Sequence, residues 1–230
     1  MSFRLFGGYD KQGKKENVYS FDFNPGHIYS IVGTTGSGKT QLLDDIESKA
    51  CGDGISKRKI KFNSNLKIAQ LSQNMNFVLD LTVKEFINYR CKNNLNKNIL
   101  DYANTLCGEQ ISPKDTLTRL SGGQSRALMI SDIAVNDENS IILIDEIENA
   151  GIDKLKAMNL LVNKNKIVLI VTHDPLLALQ GEKRIVMING GISKICTRTM
   201  DEIALLNKLY KEHNNNELYR KQLRTGNNII

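Results

Sequence analysis

The sequence lacks the features that would mark it as a membrane-spanning protein, a secreted protein or a protein with a cysteine metal site. None of its apolar runs approaches the roughly 20 residues that cross a bilayer. The segment Met1–Gly8 has no long apolar core, so no signal peptide is predicted. The four cysteines lie far apart, at Cys51, Cys91, Cys107 and Cys196. Because no C-x-x-C pair is present, free thiols in a reducing cytosol are predicted in preference to a metal site.

Length and composition fit one soluble globular unit. The chain has 230 residues, of which 40% are hydrophobic and 24% are charged, as is typical of a soluble domain. Its net charge of +6 and isoelectric point near 9.0 favour polyanionic partners such as nucleotides, nucleic acid or an acidic membrane surface. The lysines are scattered along the chain, so no patch indicates nucleic acid in particular.

Residues 33–40 form the clearest motif. They match G-x-x-x-x-G-K-[ST], the phosphate-binding P-loop. An apolar, β-branched run precedes the motif and helical spacing follows it, which is the strand–loop–helix context that this motif requires. Backbone N–H groups and the helix start are predicted to bind phosphates, Lys39 to reach the β- and γ-phosphates, and the Thr40 hydroxyl to bind Mg²⁺. The residues of the motif are Gly33, Thr34, Thr35, Gly36, Ser37, Gly38, Lys39 and Thr40.

Short aliphatic strands alternate with helical segments through the rest of the chain. The runs at 141–144 and 167–171 are wholly aliphatic, which predicts an α/β fold with a parallel sheet covered on both faces. The remaining predicted elements are β structure over 3–23, a hairpin and then a strand within 51–72, a helix over 125–135 and a β-hairpin over 185–195.

Two regions depart from this alternation. Helical spacing in two stretches between 81 and 119 predicts a small helical subdomain, inserted in a core made of 1–80 and 120–230. The tail that begins at Met200 is predicted to be helical, with a polar break at 214–216.

Chemically useful residues follow several predicted strands. Ligands of open α/β sheets lie at the carboxyl ends of the strands, where Asp145, Glu146 and His173 occur. Asp145 is the candidate to hold Mg²⁺, and Glu146 is the candidate general base for the attacking water. His173 is a candidate to sense the γ-phosphate and orient that water. Gln73 is a candidate to reach both the metal and the water.

The segment Ser121, Gly122, Gly123 and Gln124 is unusual because paired glycines are poor helix formers. Bare backbone at a helix start allows close approach to an anion. Since the P-loop already provides one cradle for a terminal phosphate, the second cradle is predicted to serve a nucleotide held by another copy. Tyr9, upstream of the P-loop, is a candidate to stack on adenine, although an ordinary strand tyrosine explains it equally well.

Taken together, these motifs resemble an ABC-type ATPase, a nucleotide-binding cassette. The resemblance covers Tyr9 to about Ile195 in the order of the family. It implies a P-loop NTPase with a RecA-like parallel core, an antiparallel β subdomain and an inserted helical subdomain. It also implies a head-to-tail dimer with two ATP molecules at the interface and Mg²⁺. The matching features are the P-loop, Tyr9, Gln73, the Leu120–Gln124 signature, Asp145, Glu146 and His173.

The loop after Glu146 departs from the family pattern. The family commonly has Pro-Thr-Ser-Ala-Leu-Asp, whereas this chain has Ile-Glu-Asn-Ala-Gly-Ile-Asp over 147–153. The proline is absent and Asp153 comes one place late, so its equivalence is a hypothesis. Gly151 indicates a different backbone path.

Two biological roles fit the resemblance. In the first, the chain is the energy-coupling subunit of a membrane transporter. Its partners are a second copy or a paralogous cassette and separate membrane-spanning subunits, and it lies in the cytoplasm on the inner membrane face. In the second, it is a soluble ABC ATPase that remodels a protein, nucleic-acid or cofactor-assembly complex, which the altered loop and the basic charge favour slightly. Transport is the preferred prediction.

Overall fold

The computed structural model describes residues 2–72, 76–90, 98–136, 139–147 and 151–226. Two sheets and seven α-helices occur within these residues. The strands are β1 (Phe3–Phe6), β2 (Ser20–Phe23), β3 (His27–Val32), β4 (Lys59–Phe62), β5 (Lys67–Leu71), β6 (Asn139–Asp145), β7 (Ile167–Val171), β8 (Lys183–Ile188) and β9 (Gly191–Thr197). The helices are α1 (Lys39–Glu47), α2 (Val83–Arg90), α3 (Ile99–Leu106), α4 (Gly122–Val135), α5 (Lys154–Asn163), α6 (Pro175–Gln180) and α7 (Met200–Arg224).

The larger sheet has six strands in the order β5-β6-β7-β3-β8-β9. The pairings from β5 to β8 are parallel, and β9 closes one edge as the antiparallel arm of a hairpin with β8. The smaller sheet has the order β2-β1-β4 and is antiparallel. The predicted α/β fold with a parallel sheet, an antiparallel β sheet and the 185–195 hairpin is therefore confirmed.

Alternating side chains of the central strands bury into two separate cores. Ile142 and Ile144 of β6 face a core formed with α2 to α7, whereas Ile141 and Leu143 face a core formed with α1 and the smaller sheet. Because successive residues of a strand point to opposite faces, a strand covered on both sides must be apolar throughout. This requirement explains the aliphatic runs of β6 and β7.

Two local predictions are wrong. Strand β4 pairs with β1, with Leu5 opposite Ile60, so the strand is not part of a local hairpin with its neighbour β5. Both side chains are buried, and this core contact determines the pairing. The break predicted at 214–216 is absent, because α7 continues through it. Asparagine lowers helix propensity by only a fraction of a kcal/mol, and Leu206 anchors the helix in the core.

Helices α2 and α3 lie in the stretch predicted to form a helical subdomain. Val83, Ile99 and Leu106 are buried in the same core that covers β6 and β7. The division into a core and a helical subdomain at 81–119 stays a prediction.

Candidate functional site

The predicted site residues lie together at one end of the larger sheet, where the carboxyl ends of three adjacent strands are found. This end is called the sheet edge. The P-loop follows β3, Asp145 ends β6, and His173 lies two residues after β7, which pairs with both other strands. Asp145 is opposite Val171 in the register, and the Thr172 N–H donates to the Ile31 carbonyl at 3.3 Å. Parallel strands therefore bring together residues that lie more than 100 positions apart in the chain.

The P-loop takes a path that requires glycine at two positions. Gly36 and Gly38 adopt φ angles of +77° and +92°, a region that other residues rarely enter. A Cβ on Gly38 would lie 2.8 Å from the Gly190 Cα in the β8–β9 turn. That turn also holds the loop directly, because the Gly190 N–H donates to the Ser37 carbonyl at 2.9 Å.

The polar groups of the loop fit a polyphosphate. Lys39 is only 7% exposed, and its ammonium donates to the carbonyls of Gly33 and Thr34 at 3.0 and 3.1 Å. The Lys11 ammonium donates to the Gly36 carbonyl at 2.8 Å, so a second cation lies at the same loop. The Ser37 Oγ is buried and has no hydrogen-bond partner among the described residues. Two cations and an unsatisfied hydroxyl beside a helix start suit an anionic ligand.

Oxygen atoms suited to Mg²⁺ lie beside the P-loop. The Thr40 Oγ1 lies 3.3 Å from Asp145 Oδ2. Partial burial and, to a lesser degree, the neighbouring carboxylates of Asp45 and Asp145 raise the pKa of Asp44. No group of three or more His, Cys, Asp or Glu side chains within the described ranges is arranged to hold a metal. A cation here would therefore need further oxygen ligands, such as those of a phosphate. The predicted ligand Gln73 lies outside the described residues.

Glu146 and His173 approach each other at the same edge. The His173 Nε2 lies 3.5 Å from Glu146 Oε1, and both side chains are partly exposed. Glu146 has a φ angle of +52°, which is uncommon for a residue with a side chain. Its N–H donates to the Val171 carbonyl at 3.1 Å, and this bond holds the turn that directs Glu146 out of the strand. Sequence patterns carry no signal for this backbone geometry.

A cleft of about 370 Å³ runs alongside the P-loop. Its lining includes Gly36, Gly38, Lys39 and Thr40 of the P-loop and also Tyr9. The cleft thus places the predicted stacking residue and the predicted phosphate cradle in one cavity.

The signature does not belong to this cleft. None of the described residues that line the cleft comes from Ser121–Gln124, and these residues instead begin α4. Ser121 and Gln124 form a capping box, in which the Gln124 N–H donates to Ser121 Oγ at 3.2 Å and the Ser121 N–H donates to Gln124 Oε1 at 2.9 Å. A Cβ on Gly122 would meet no atom within 4 Å, so the backbone there is open to an approaching ligand.

The altered loop after Glu146 runs close to the signature of the same chain. Gly151 has a φ angle of +68°, and a Cβ there would lie 3.5 Å from the Gly123 Cα. Asp153 caps α5 by accepting from the Lys156 N–H at 3.1 Å. Lys154 forms an ion pair with Asp174, which ties the start of α5 to the residue after His173. Residues 148–150 of the predicted loop lie outside the described part of the chain.

A buried ion network beneath the cleft is missed by sequence reasoning. The Arg58 guanidinium is fully buried and contacts Asp45 Oδ2 at 2.7 Å and Glu16 Oε1 at 2.5 Å. It also donates to the Gly190 carbonyl at 2.7 Å, and Ser56 Oγ donates to Asp45 at 2.8 Å. The network therefore joins α1, the smaller sheet and the turn that holds the P-loop.

Replacing Arg58 by methionine is expected to lower the free energy of unfolding by about 3–5 kcal/mol, because Glu16 and Asp45 would remain buried without their counter-ion. Urea denaturation measures the change. Arg4→Met is the matched control, since Arg4 pairs with Asp22 at 2.6 Å in a half-exposed position and its loss should change stability little. Equal effects of the two substitutions would contradict this account of the network.

The fold and the arranged residues together define the class of the protein. A phosphate-binding loop after β3, an acidic pair after β6 and a histidine after β7 on a mostly parallel sheet are features of a P-loop nucleoside triphosphatase. A family model described as ABC transporter matches residues 17–149, and the chain belongs to this family of ATP-binding cassettes.

Individual relatives agree with this assignment. An ABC transporter ATP-binding protein of Methanocaldococcus jannaschii is 45% identical, over 98% of this chain and 93% of the relative. The zinc import ATP-binding protein ZnuC of Rickettsia prowazekii is 26% identical over 80% of each chain. A solved dimeric ATP-binding cassette bound to ADP and phosphate is 22% identical, covers 86% of this chain and 99% of its own, and has a TM-score of 0.62. At that identity the structure supports the fold alone.

Members of this family bind ATP and hydrolyse it in general. No helix within the described residues combines the length and the apolar character that a membrane span requires.

Proposed function

We propose that this chain binds MgATP in the cleft beside the P-loop and hydrolyses it as a head-to-tail dimer with a second copy or a paralogous cassette. The observation that carries the proposal is the meeting of the P-loop, the Thr40–Asp145 contact and the Glu146–His173 pair at one sheet edge. A triphosphate in the P-loop has its terminal phosphate directed toward this edge.

Each side chain then has a role that its position supports. Lys39 exchanges its bonds to loop carbonyls for phosphate oxygens, and Thr40 and Asp145, with Gln73, provide oxygen atoms for Mg²⁺. When bound, Mg²⁺ neutralises charge on the phosphates. Glu146 accepts the proton of the attacking water, and His173 at 3.5 Å orients Glu146 and the terminal phosphate.

The second copy supplies the missing side of the site. The start of α4 does not line the cleft of its own chain; it is formed by Ser121, Gly122, Gly123 and Gln124. We infer that they close over the terminal phosphate held by a partner, where the helix start favours negative charge. One solved cassette with the same fold is described as dimeric.

Phosphate release from ATP by the purified full chain tests the enzymatic proposal. Hydrolysis is expected with Mg²⁺ and is expected to vanish when EDTA removes the ion, because Thr40 and Asp145 alone are too few ligands for an independent metal site. Failure of the chain to bind ATP in the presence of Mg²⁺ would overturn the proposal.

We further propose that the chain is the ATP-hydrolysing subunit of a membrane transporter and works at the cytoplasmic face of the membrane. Relatives described as ABC transporter and zinc import ATP-binding proteins support this role. Affinity capture from a native extract, with ATP and a Glu146→Gln chain that retains nucleotide, is expected to recover a multi-span membrane protein. Recovery of a soluble complex alone would instead support the remodelling role.

A further inference from the structure

The cleft beside the P-loop has a large apolar side chain on its wall that the proposed mechanism does not use. Ile55 lines this cleft together with Tyr9, and 90% of its surface is exposed. An isoleucine exposed to this degree gains almost nothing from burial in the chain itself. The described residues of the chain leave this side chain uncovered.

Ile55 stands on a turn that is held in place from several sides. The Lys57 N–H donates to the Gly54 carbonyl at 3.0 Å and closes the turn, in which Lys57 has a φ angle of +52°. The Ser56 carbonyl accepts from the Tyr9 N–H at 2.8 Å, and Ser56 Oγ donates to the buried carboxylate of Asp45. These hydrogen bonds therefore fix the turn that carries Ile55, and this turn lies next to the backbone of Tyr9.

The Tyr9 ring is also supported. The Lys57 ammonium lies 5.5 Å from the centroid of the ring, within range of a cation–π interaction. Lys57 is not among the described residues that line the cleft, whereas Tyr9 is. Tyr9 therefore lines the cleft, and its ring is also contacted by a cation that does not line the cleft.

The lining of the cleft combines two kinds of chemistry. Glycine backbone and the Lys39 ammonium suit phosphates, while the Tyr9 ring and the Ile55 side chain offer apolar surface. We propose that Ile55 is a second apolar wall of the base site, so that the cleft selects nucleotides that carry a flat base over polyphosphates that lack one. This inference rests on the proposed binding of MgATP.

Binding of ATP and of inorganic tripolyphosphate, each with Mg²⁺, tests the inference in the full chain. Ile55→Ser is expected to weaken ATP binding about five- to tenfold, because part of one aliphatic side chain loses its contact with the base. Tripolyphosphate binding is expected to stay within twofold of wild type. Ile55→Val keeps a branched apolar side chain and is expected to retain most of the affinity for ATP.

Val78→Ser is the matched control, because Val78 is 89% exposed and lies outside the residues that line the cleft. It should leave both affinities unchanged, and Tyr9→Ala should weaken binding of ATP but not of tripolyphosphate. Unchanged ATP affinity in Ile55→Ser, or an equal loss for both ligands, would overturn the role of Ile55 but not the proposed function. A wild-type chain that binds tripolyphosphate and ATP equally would also overturn it, whereas a wild-type chain that binds neither would defeat the proposed function.

Discussion

Replacing Glu146 by glutamine is expected to lower ATP turnover by about 10²- to 10⁴-fold, the usual contribution of a general base. Glutamine keeps the shape of the side chain and its reach toward His173, which lies 3.5 Å away, but it cannot accept the proton of water. The variant retains Lys39, Thr40 and Asp145, so its affinity for ATP is expected to stay close to that of wild type. Single-turnover phosphate release, together with equilibrium ATP binding, separates the two effects.

The same variant should accumulate a nucleotide-bound dimer, because hydrolysis no longer opens the interface. Size-exclusion chromatography with light scattering, with and without MgATP, measures the dimer fraction. Glu212→Gln makes the same chemical change on the exposed surface of α7 and should leave turnover unaltered. Hydrolysis by Glu146→Gln at the wild-type rate would show that another group activates the water.

The arrangement of the site follows from the sequence where it depends on local patterns and on parallel strands. The aliphatic runs of β6 and β7 predict buried strands, and their carboxyl ends must then lie at one edge. That reasoning places Asp145 and His173 near the P-loop from the sequence alone. The continuity of α7 through 214–216 is not predicted by the local pattern, because helix cooperativity outweighs the weak helix propensity of three exposed asparagines.

Features that depend on distant partners were not predictable in this way. The pairing of β4 with β1 brings together residues more than 50 positions apart, and no local pattern identifies the partner strand. The sequence suggests that Arg58 is an ordinary surface cation, yet it is buried between the carboxylates of Asp45 in α1 and Glu16 in the β1–β2 connection. The positive φ of Glu146 arises because its N–H bonds to β7. Each of these features depends on residues that come together only in the folded chain.

The separation of the P-loop and the signature has a direct experimental consequence. If each catalytic site combines the P-loop of one chain with the signature of its partner, a chain with a defective P-loop and a chain with a defective signature should complement each other. Lys39→Ala removes the buried ammonium of the P-loop. Ser121→Arg places a bulky side chain where the open start of α4 is proposed to meet the partner's phosphate.

Each substitution alone is expected to lower turnover at least about 10²-fold, because it removes contacts to the transferring phosphate. A 1:1 mixture should recover about a quarter of the wild-type rate, because half of the randomly formed dimers are mixed and each has one intact site. This recovery also shows that the Ser121→Arg chain is folded, even though it has lost the cap of α4. Phosphate release measured across mixing ratios should be greatest near equal amounts.

The control is a mixture of Ser121→Arg chains with chains that carry both substitutions. Its mixed dimers contain no intact pairing of P-loop and signature, so its turnover should stay at the level of Ser121→Arg alone. Recovery in this control would mean that the gain does not come from pairing an intact P-loop with an intact signature. No recovery in the mixture of the two single substitutions would mean that one chain completes its own site. Full activity of Ser121→Arg as a monomer would show that the site needs no partner signature, because the exposed backbone of Gly122 would then have no phosphate to bind. The capping box between Ser121 and Gln124 would in that case be a purely structural start of α4.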